Sequence, residues 1–244
     1  MKEKLVVALD VPNYEEAEEI VKEVSEYVGY FKVGKQLFTA EGPRIFKMIK
    51  KYNGNIFADL KYHDIPNTVS LAARELVKQG VDMFNVHASG GMEMMKRTVL
   101  EVNEEAERIR TKSPIMLAVT VLTSLDAKDL KLLGIKMSVE EYILKLAEVA
   151  KISGFDGVVC SPAEIKLIKK NFGQDFITLT PGIRPAWTQL GDQKRVMTPR
   201  EAITCGSDYL VIGRPITKAE NRLAAVKRIL KEMGGEHYEA DDES

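Results

Sequence analysis

Eight short apolar runs, rich in Val, Ile, Leu and Phe, recur along the chain and alternate with longer segments of mixed polarity. Runs of this length and composition are typical of buried β-strands. They occupy residues 5–9, 30–33, 56–60, 83–87, 115–122, 157–160, 176–180 and 209–212. Between them, apolar residues recur every three to four positions, as at Ala17, Ile20, Val21 and Val24, which predicts amphipathic helices.

Eight strands alternating with helices over 244 residues predict an α/β protein with a single-domain (β/α)8 TIM barrel. A doubly wound open sheet is the alternative, but Asp10-Val11-Pro12 stands where its Gly-x-Gly-x-x-Gly motif would follow the first strand. No linker-like stretch and no repeat beyond the strand-helix alternation interrupts the pattern. We therefore expect one domain over residues 1–235 and an acidic, disordered tail over 236–244.

Composition narrows the class of protein. Hydrophobic residues make up 45% of the chain, which is enough to bury a large core. Lysine and arginine (35) balance aspartate and glutamate (36), so no global electrostatic field attracts nucleic acid or an anionic membrane.

Cys160 and Cys205, in or beside apolar segments, indicate reduced structural thiols. The first apolar run ends at Asp10, too short for a signal peptide or a membrane span, so we expect a cytoplasmic protein.

The richest cluster of charges follows the third predicted strand, where residues 59–69 read Asp-Leu-Lys-Tyr-His-Asp-Ile-Pro-Asn-Thr-Val. On a strand, side chains alternate between faces, so Asp59 and Lys61 are expected on the same face. Pro66 suits the first turn of a helix, which leaves Asp64 in the strand-to-helix loop. In a barrel, ligand sites form at the carboxyl ends of the strands. The cluster therefore lies at the predicted functional face.

The carboxylates around Lys61 favour one kind of lysine chemistry. They stabilise the charged ammonium form, whereas a Schiff-base lysine must be an uncharged nucleophile. We interpret Lys61 as an acid that delivers a proton to a carbanion-like centre. A structural ladder of ion pairs is the alternative. Lys32 lies in the second strand, and because a buried lysine needs a partner, we expect it in the same network.

A second signal follows strands seven and eight, with Thr-Pro-Gly-Ile-Arg at 180–184 and Ile-Gly-Arg-Pro at 212–215. Loops after these two strands of a barrel frequently hold a phosphate group. Gly213 would let the backbone approach an anion, and Arg214 could bind it in a bidentate manner. An ordinary tight turn with a surface charge is the alternative reading of this pair.

Two further kinds of residue are open to more than one interpretation. Asp10 could accept hydrogen bonds from sugar hydroxyls, or it could simply end the first strand. His63 and His87 could bind a metal, but no Glu-x-x-His motif, neighbouring histidine or cysteine pair accompanies them. We interpret both histidines as hydrogen-bonded structural residues and predict no metal site.

Four motifs occur together in one order: Asp-x-Lys-x-x-Asp-Ile-Pro-Asn-Thr at 59–68, Thr-Pro-Gly-Ile-Arg at 180–184, Asp-Gln-Lys-Arg-Val at 192–196 and Ile-Gly-Arg-Pro-Ile at 212–216. In this combination the chain strongly resembles the orotidine 5'-phosphate decarboxylases of the bacterial type, from residue 5 to about residue 230. The resemblance implies a TIM barrel, a homodimer and the conversion of orotidine 5'-phosphate to UMP and carbon dioxide. That reaction is the last step of de novo pyrimidine nucleotide synthesis, and the resemblance implies no metal or organic cofactor.

The resemblance also implies roles for individual residues. Lys61 would donate a proton to pyrimidine C6, with Asp59 set against the departing carboxyl group. Lys32 and Asp64 would complete an alternating charge array, and Asp64 with Thr68 would enter the neighbouring subunit's site. The implied substrate contacts are Asp10 and Lys32 to the ribose, Thr123 and Ser124 beside the pyrimidine, and Arg184, Gln193, Gly213 and Arg214 to the phosphate. The pair Lys35-Gln36 after strand two is more basic than the family pattern.

Two rival functions fit parts of the pattern. A related barrel decarboxylase or aldolase would act on a sugar phosphate through an enediolate held by magnesium. A non-catalytic barrel would bind a phosphate ligand and use the charge cluster for structure alone. For a decarboxylase, we expect the loop over residues 185–196 to close over the ligand, so that phosphate binding energy reaches the reacting centre.

Overall fold

A computed structural model describes residues 1–188 and 197–234 of the chain. Within them, eight parallel strands form a closed barrel in sequence order, and the last strand pairs with the first. The strands are β1 (Leu5–Ala8), β2 (Tyr30–Gly34), β3 (Asn55–Tyr62), β4 (Met83–His87), β5 (Ile115–Val119), β6 (Gly157–Val159), β7 (Ile177–Thr180) and β8 (Tyr209–Ile212). The predicted (β/α)8 architecture is confirmed. The fifth strand ends at Val119 rather than at residue 122, and the third extends to Tyr62.

Helices surround the barrel and connect its strands. They are α1 (Tyr14–Val24), α2 (Lys35–Glu41), α3 (Arg44–Lys51), α4 (Pro66–Lys78), α5 (Met92–Arg108), α6 (Ala127–Leu132), α7 (Val139–Ile152), α8 (Ile165–Phe172), α9 (Pro199–Thr204), α10 (Arg214–Thr217) and α11 (Arg222–Glu232). Pro66 opens α4 as expected. The Asn13 side chain caps α1 by accepting a hydrogen bond from the Glu16 N–H at 2.9 Å. None of the helices in the described ranges is long and apolar enough to cross a membrane.

The apolar core has two layers, one inside the barrel and one between the barrel and its helices. The helix faces predicted from three-to-four spacing supply the outer layer, which includes Ala17, Ile20, Val21 and Val24. The inner layer consists of Val6, Ala8, Phe57, Met83, Leu117, Leu179 and Val211. Lys32 pairs in register with Ala8 and Phe57. The inner layer therefore fills the barrel up to the level at which the charged side chains begin.

At the amino-terminal end of the barrel, an aspartate lies directly before each of the strands β4, β6 and β8. Hydrogen bonds link each aspartate to the preceding strand of the barrel. The Oδ2 atoms of Asp82, Asp156 and Asp208 accept hydrogen bonds from the backbone N–H groups of Ile56, Met116 and Thr178 at 2.7, 2.7 and 2.8 Å. Each aspartate N–H donates to the carbonyl of the same residue. This structural repeat was not foreseen from the sequence. Because it lies at the face opposite the charge cluster, we assign it to stability.

Candidate active site

The carboxyl ends of the first three strands bring four of the predicted site residues into one chain of alternating charges. The Lys32 Nζ atom lies 2.9 Å from Oδ1 of Asp10 and 3.4 Å from Oδ2 of Asp59. The other oxygen of Asp59, Oδ1, lies 2.5 Å from the Nζ atom of Lys61. Asp59 is thus shared between two ammonium groups, and the array runs Asp10, Lys32, Asp59, Lys61.

The two innermost members of the array, the buried Lys32 and the partly buried Asp59, remain charged. Lys32 is only 8% exposed, and burial alone would lower its pKa, but the carboxylates of Asp59 and Asp10 outweigh burial and raise it. Burial alone would raise the pKa of Asp59, but Lys32 and Lys61, helped by hydrogen bonds, outweigh burial and lower it. At neutral pH the site therefore holds the Lys32 ammonium against the Asp59 carboxylate.

Gly34, at the end of β2, leaves room for the ion pair between Lys32 and Asp10. A Cβ atom added at this glycine would lie 3.1 Å from Nζ of Lys32 and 3.3 Å from Oδ1 of Asp10. Such contacts are tighter than a side chain normally accepts, so any larger residue would displace the pair. The requirement for glycine here comes from close approach of charged side chains and not from backbone conformation.

The backbone of Lys61 departs from the regular strand that simple alternation predicts. Its φ of +52° lies in the left-handed region, and the β3–β4 register shifts around it. Asn85 of β4 bridges the irregularity: its Oδ1 accepts from the Lys61 N–H at 2.8 Å, and its Nδ2 donates to Oδ1 of Asp59 at 2.8 Å. Sequence reasoning missed Asn85. The available signal was a polar residue two positions after Met83, on the inward face of an apolar strand.

The two histidines are closer together than the sequence indicates. We expected no neighbouring histidine for either, but the rings of His63 and His87 lie 5.5 Å apart between centroids, because His63 follows β3 and His87 ends the adjacent β4. Burial lowers the pKa of His87 to about 4, and the charges of His63, Lys35 and Lys61 act in the same direction. His87 is therefore neutral at pH 7. Within residues 1–188 and 197–234, no three His, Cys, Asp or Glu side chains converge as metal ligands.

Asp64 and Thr68 do not join the array within their own chain. Both are exposed, in the turn before α4 and in its first turn. The Oδ1 atom of Asp64 accepts from the N–H of Ile65 at 2.6 Å. Among the described residues, neither side chain forms a hydrogen bond or ion pair with the four charged residues. Ile65, between them, exposes 65% of its surface.

The other predicted residues that the structure describes lie at the same end of the barrel, after later strands. Thr123 and Ser124 are exposed in the turn between β5 and α6. Arg184 follows β7, and its N–H donates to the Met197 carbonyl at 3.0 Å. The last two predicted residues, Gly213 and Arg214, follow β8, where Gly213 caps α10. Gln193 and most of the 185–196 loop lie outside the described residues.

Comparisons with known proteins find relatives similar in sequence and in fold. The chain matches the model of the family described as orotidine 5'-phosphate decarboxylase / HUMPS over residues 3–229. An orotidine 5'-phosphate decarboxylase of Moorella thermoacetica is 51% identical over 233 residues, which cover 95% of this chain and 92% of the relative. The crystal structure of an orotidine 5'-phosphate decarboxylase from Lactobacillus acidophilus superposes with a TM-score of 0.82 at 39% identity, covering 94% of this chain and 98% of the other. An uncharacterized conserved protein from Geobacillus kaustophilus gives a TM-score of 0.83 at 37% identity, covering 94% and 99%.

Proposed function

Because this chain belongs to the orotidine 5'-phosphate decarboxylase / HUMPS family, we propose that it converts orotidine 5'-phosphate to UMP and carbon dioxide. This reaction is the last step of de novo pyrimidine nucleotide synthesis. The observation that carries the proposal is the array of Asp10, Lys32, Asp59 and Lys61 at the carboxyl ends of the strands. In this proposal Lys61 is the proton-donating cation and Asp59 is the carboxylate beside it.

The reaction needs a cation at the carbon that loses carbon dioxide. When the bond between C6 and its carboxylate breaks, the electron pair stays on C6, and no carbonyl is placed to delocalise it. A preorganised ammonium stabilises that charge most strongly in a site from which water is excluded. Lys61 supplies the ammonium and then transfers one N–H proton to C6. It is left as an amine, which regains its proton from solvent.

Asp59 has two roles in this proposal. It holds both Lys32 and Lys61 in place through its two oxygens. Because its pKa is lowered, it also remains negative beside the position of the substrate carboxylate. Repulsion between the two carboxylates would be relieved as carbon dioxide departs, which lowers the barrier from the ground-state side.

The rest of the substrate is held by residues around the rim. We assign the ribose to Asp10 and Lys32, and the pyrimidine ring to Thr123 and Ser124. The proposed phosphate contacts are Arg184, Gln193, Gly213 and Arg214. Phosphate lies far from C6, so its binding energy can be used to close the 185–196 loop and exclude water from the reacting centre. If deleting the loop weakened substrate affinity and left turnover unchanged, this closure would be refuted.

The proposed enzyme is a homodimer with shared active sites. Asp64 and Thr68 are exposed and do not contact the charged array of their own subunit. Residues that enter the site of a neighbouring subunit must be exposed in this way. Inactive Asp59→Ala and Asp64→Ala subunits should complement each other when mixed, because one of the two sites in a heterodimer would be wild type. Statistical mixing predicts recovery of about a quarter of wild-type activity. No recovery after verified subunit exchange would contradict the shared site.

The proposed enzyme uses no metal or organic cofactor and works in the cytoplasm, where its two free thiols would stay reduced. Loss of orotate absorbance after adding orotidine 5'-phosphate to chelator-treated protein tests the function. Equal rates with and without chelator support it, whereas dependence on magnesium would favour the enediolate rival. UMP binding without any turnover would favour the non-catalytic barrel.

A further inference from the structure

Asn85 is fully buried at the centre of β4, opposite the irregular end of β3. The ladder between these strands pairs Ala58 with Phe84 and next pairs Tyr62 with Val86. Three residues of β3 therefore face Asn85 alone, and the regular exchange of backbone hydrogen bonds is interrupted. A side chain at position 85 must supply what the ladder does not.

The carbonyl oxygen of the Asn85 side chain takes the place of a backbone acceptor. It accepts the Lys61 N–H at 2.8 Å, where the Lys61 backbone has a φ of +52°. Residues with a side chain rarely adopt this conformation unless their surroundings hold them in it. Asn85 therefore helps to determine the point from which the Lys61 side chain extends.

The amide nitrogen of the same side chain acts on the partner of Lys61. It donates to Oδ1 of Asp59 at 2.8 Å, and that oxygen also accepts from the Lys61 Nζ atom at 2.5 Å. A side-chain amide has one acceptor and one donor group, and Asn85 uses both on the ion pair. A carboxylate at this position would lack the donor, and an aliphatic side chain would lack both.

We propose that Asn85 is a positioning residue, which sets the Lys61 ammonium and the Asp59 carboxylate against C6 through one side-chain amide. The inference rests on the proposed decarboxylase function and adds a residue to its machinery. The phosphate and ribose contacts come from other strands. A substitution of Asn85 should therefore lower turnover much more than substrate affinity.

Two substitutions test the hydrogen bonds that Asn85 forms with Lys61 and Asp59. Asn85→Leu removes both at similar volume, and Asn85→Asp keeps an acceptor for the Lys61 N–H but loses the donor to Asp59. Misplacement of a reacting group by about 1 Å costs roughly 100-fold in rate, so we expect kcat to fall by about that factor in both variants. The KM and the UMP dissociation constant should change by less than about threefold, since uniform binding is retained. Met83→Leu, a volume-conserving change on the same strand, is the control and should behave like wild type.

Two readouts report on the ion pair itself. Exchange of the UMP C6 hydrogen for deuterium in D2O, followed by proton NMR, requires the Lys61 amine to remove that proton and return a deuteron. We expect this exchange to slow in parallel with kcat in both variants. In Asn85→Asp, two carboxyl groups lie side by side, and repulsion between their charges raises the pKa of Asp59. The acid limb of the plot of kcat/KM against pH should therefore move to higher pH.

The outcomes are distinguishable. Wild-type protein that does not decarboxylate orotidine 5'-phosphate would overturn the proposed function before any variant is compared. If wild type is active, kcat within about twofold of wild type in both variants, with only a lower melting temperature, would overturn the role of Asn85. If Asn85→Leu does not fold, Asn85→Asp decides. Loss of fold in both variants would assign Asn85 to stability and would also overturn the proposal.

Discussion

The Nζ atom of Lys61 lies 2.5 Å from Oδ1 of Asp59, and only one residue separates the two along the chain. A regular strand would point both side chains the same way, but Lys61 has a φ of +52° and its register with β4 is shifted. The contact therefore depends on an irregular strand end held from the neighbouring strand. It places a cation and an anion together at the end of the barrel where substrates bind.

Replacing Asp59 with asparagine should damage both stability and turnover. The asparagine side chain has nearly the same shape as aspartate, but it leaves the ammonium groups of Lys32 and Lys61 without their shared carboxylate. Removing one partner from a buried ion pair costs roughly 3 kcal/mol, so we expect the free energy of unfolding to fall by about that amount. Urea denaturation and steady-state kinetics measure the two effects. Asp175→Asn, at an exposed position, is the control, and an equal effect there would contradict the assignment.

Gly34→Ala should disturb the array without removing a charge. The new Cβ would lie 3.1 Å from Nζ of Lys32 and 3.3 Å from Oδ1 of Asp10, so the ammonium must move. We expect kcat/KM to fall by at least about tenfold, since small displacements of reacting or binding groups are costly. Kinetics on protein with a wild-type melting temperature would test this. Unchanged kcat/KM would show that the pair tolerates the displacement.

Acid should destabilise the protein through His87. Its pKa is lowered to about 4 by burial, with the charges of His63, Lys35 and Lys61 acting in the same direction, whereas an unfolded histidine titrates near 6.5. The unfolded chain binds the proton more tightly, so the stabilisation is complete above about pH 6.5 and is lost as pH falls toward 4. Urea unfolding across this window should show the loss. His87→Gln should lose less stability than wild type, and an equal loss in both would exclude His87 as the cause.

Asp156→Ala should destabilise the barrel and leave catalysis intact. Its carboxylate accepts the Met116 N–H at 2.7 Å, at the strand ends opposite the active site. An unsatisfied buried N–H costs about 1–3 kcal/mol, and we expect a loss of stability in that range. The kcat of the folded variant should match that of wild type. A large fall in kcat at temperatures well below unfolding would contradict the purely structural role of this aspartate.

Much of the architecture could be predicted from the sequence, because each strand is a short apolar run bounded by polar residues. The strand order then follows from the fold class, and it brings Asp10, Lys32 and Asp59 to the same end of the barrel. Lys32 could be placed inside because a lysine within an apolar strand needs a buried partner. These inferences depend on local pattern and on the geometry common to parallel barrels.

The features that the sequence did not reveal depend on contacts between neighbouring strands. A lone asparagine within an apolar strand does not indicate that three residues of β3 will face Asn85. His63 and His87 are far apart along the chain and become neighbours only when β3 and β4 pair. Each of the three aspartates that join strands at the amino-terminal end lies in a Gly-x-Asp sequence, but so short a pattern does not show which backbone groups its carboxylate will contact.

The central claim is that Lys61 is the acid of a decarboxylase, and the most direct test compares wild type with Lys61→Ala in turnover of orotidine 5'-phosphate. Loss of orotate absorbance gives the rate, and UMP binding shows that the variant retains its site. Removing both the electrostatic stabilisation and the general acid should lower kcat by roughly 10⁴-fold or more, while Lys145→Ala, an exposed control, stays at the wild-type rate. Turnover by Lys61→Ala within about tenfold of wild type would contradict the account.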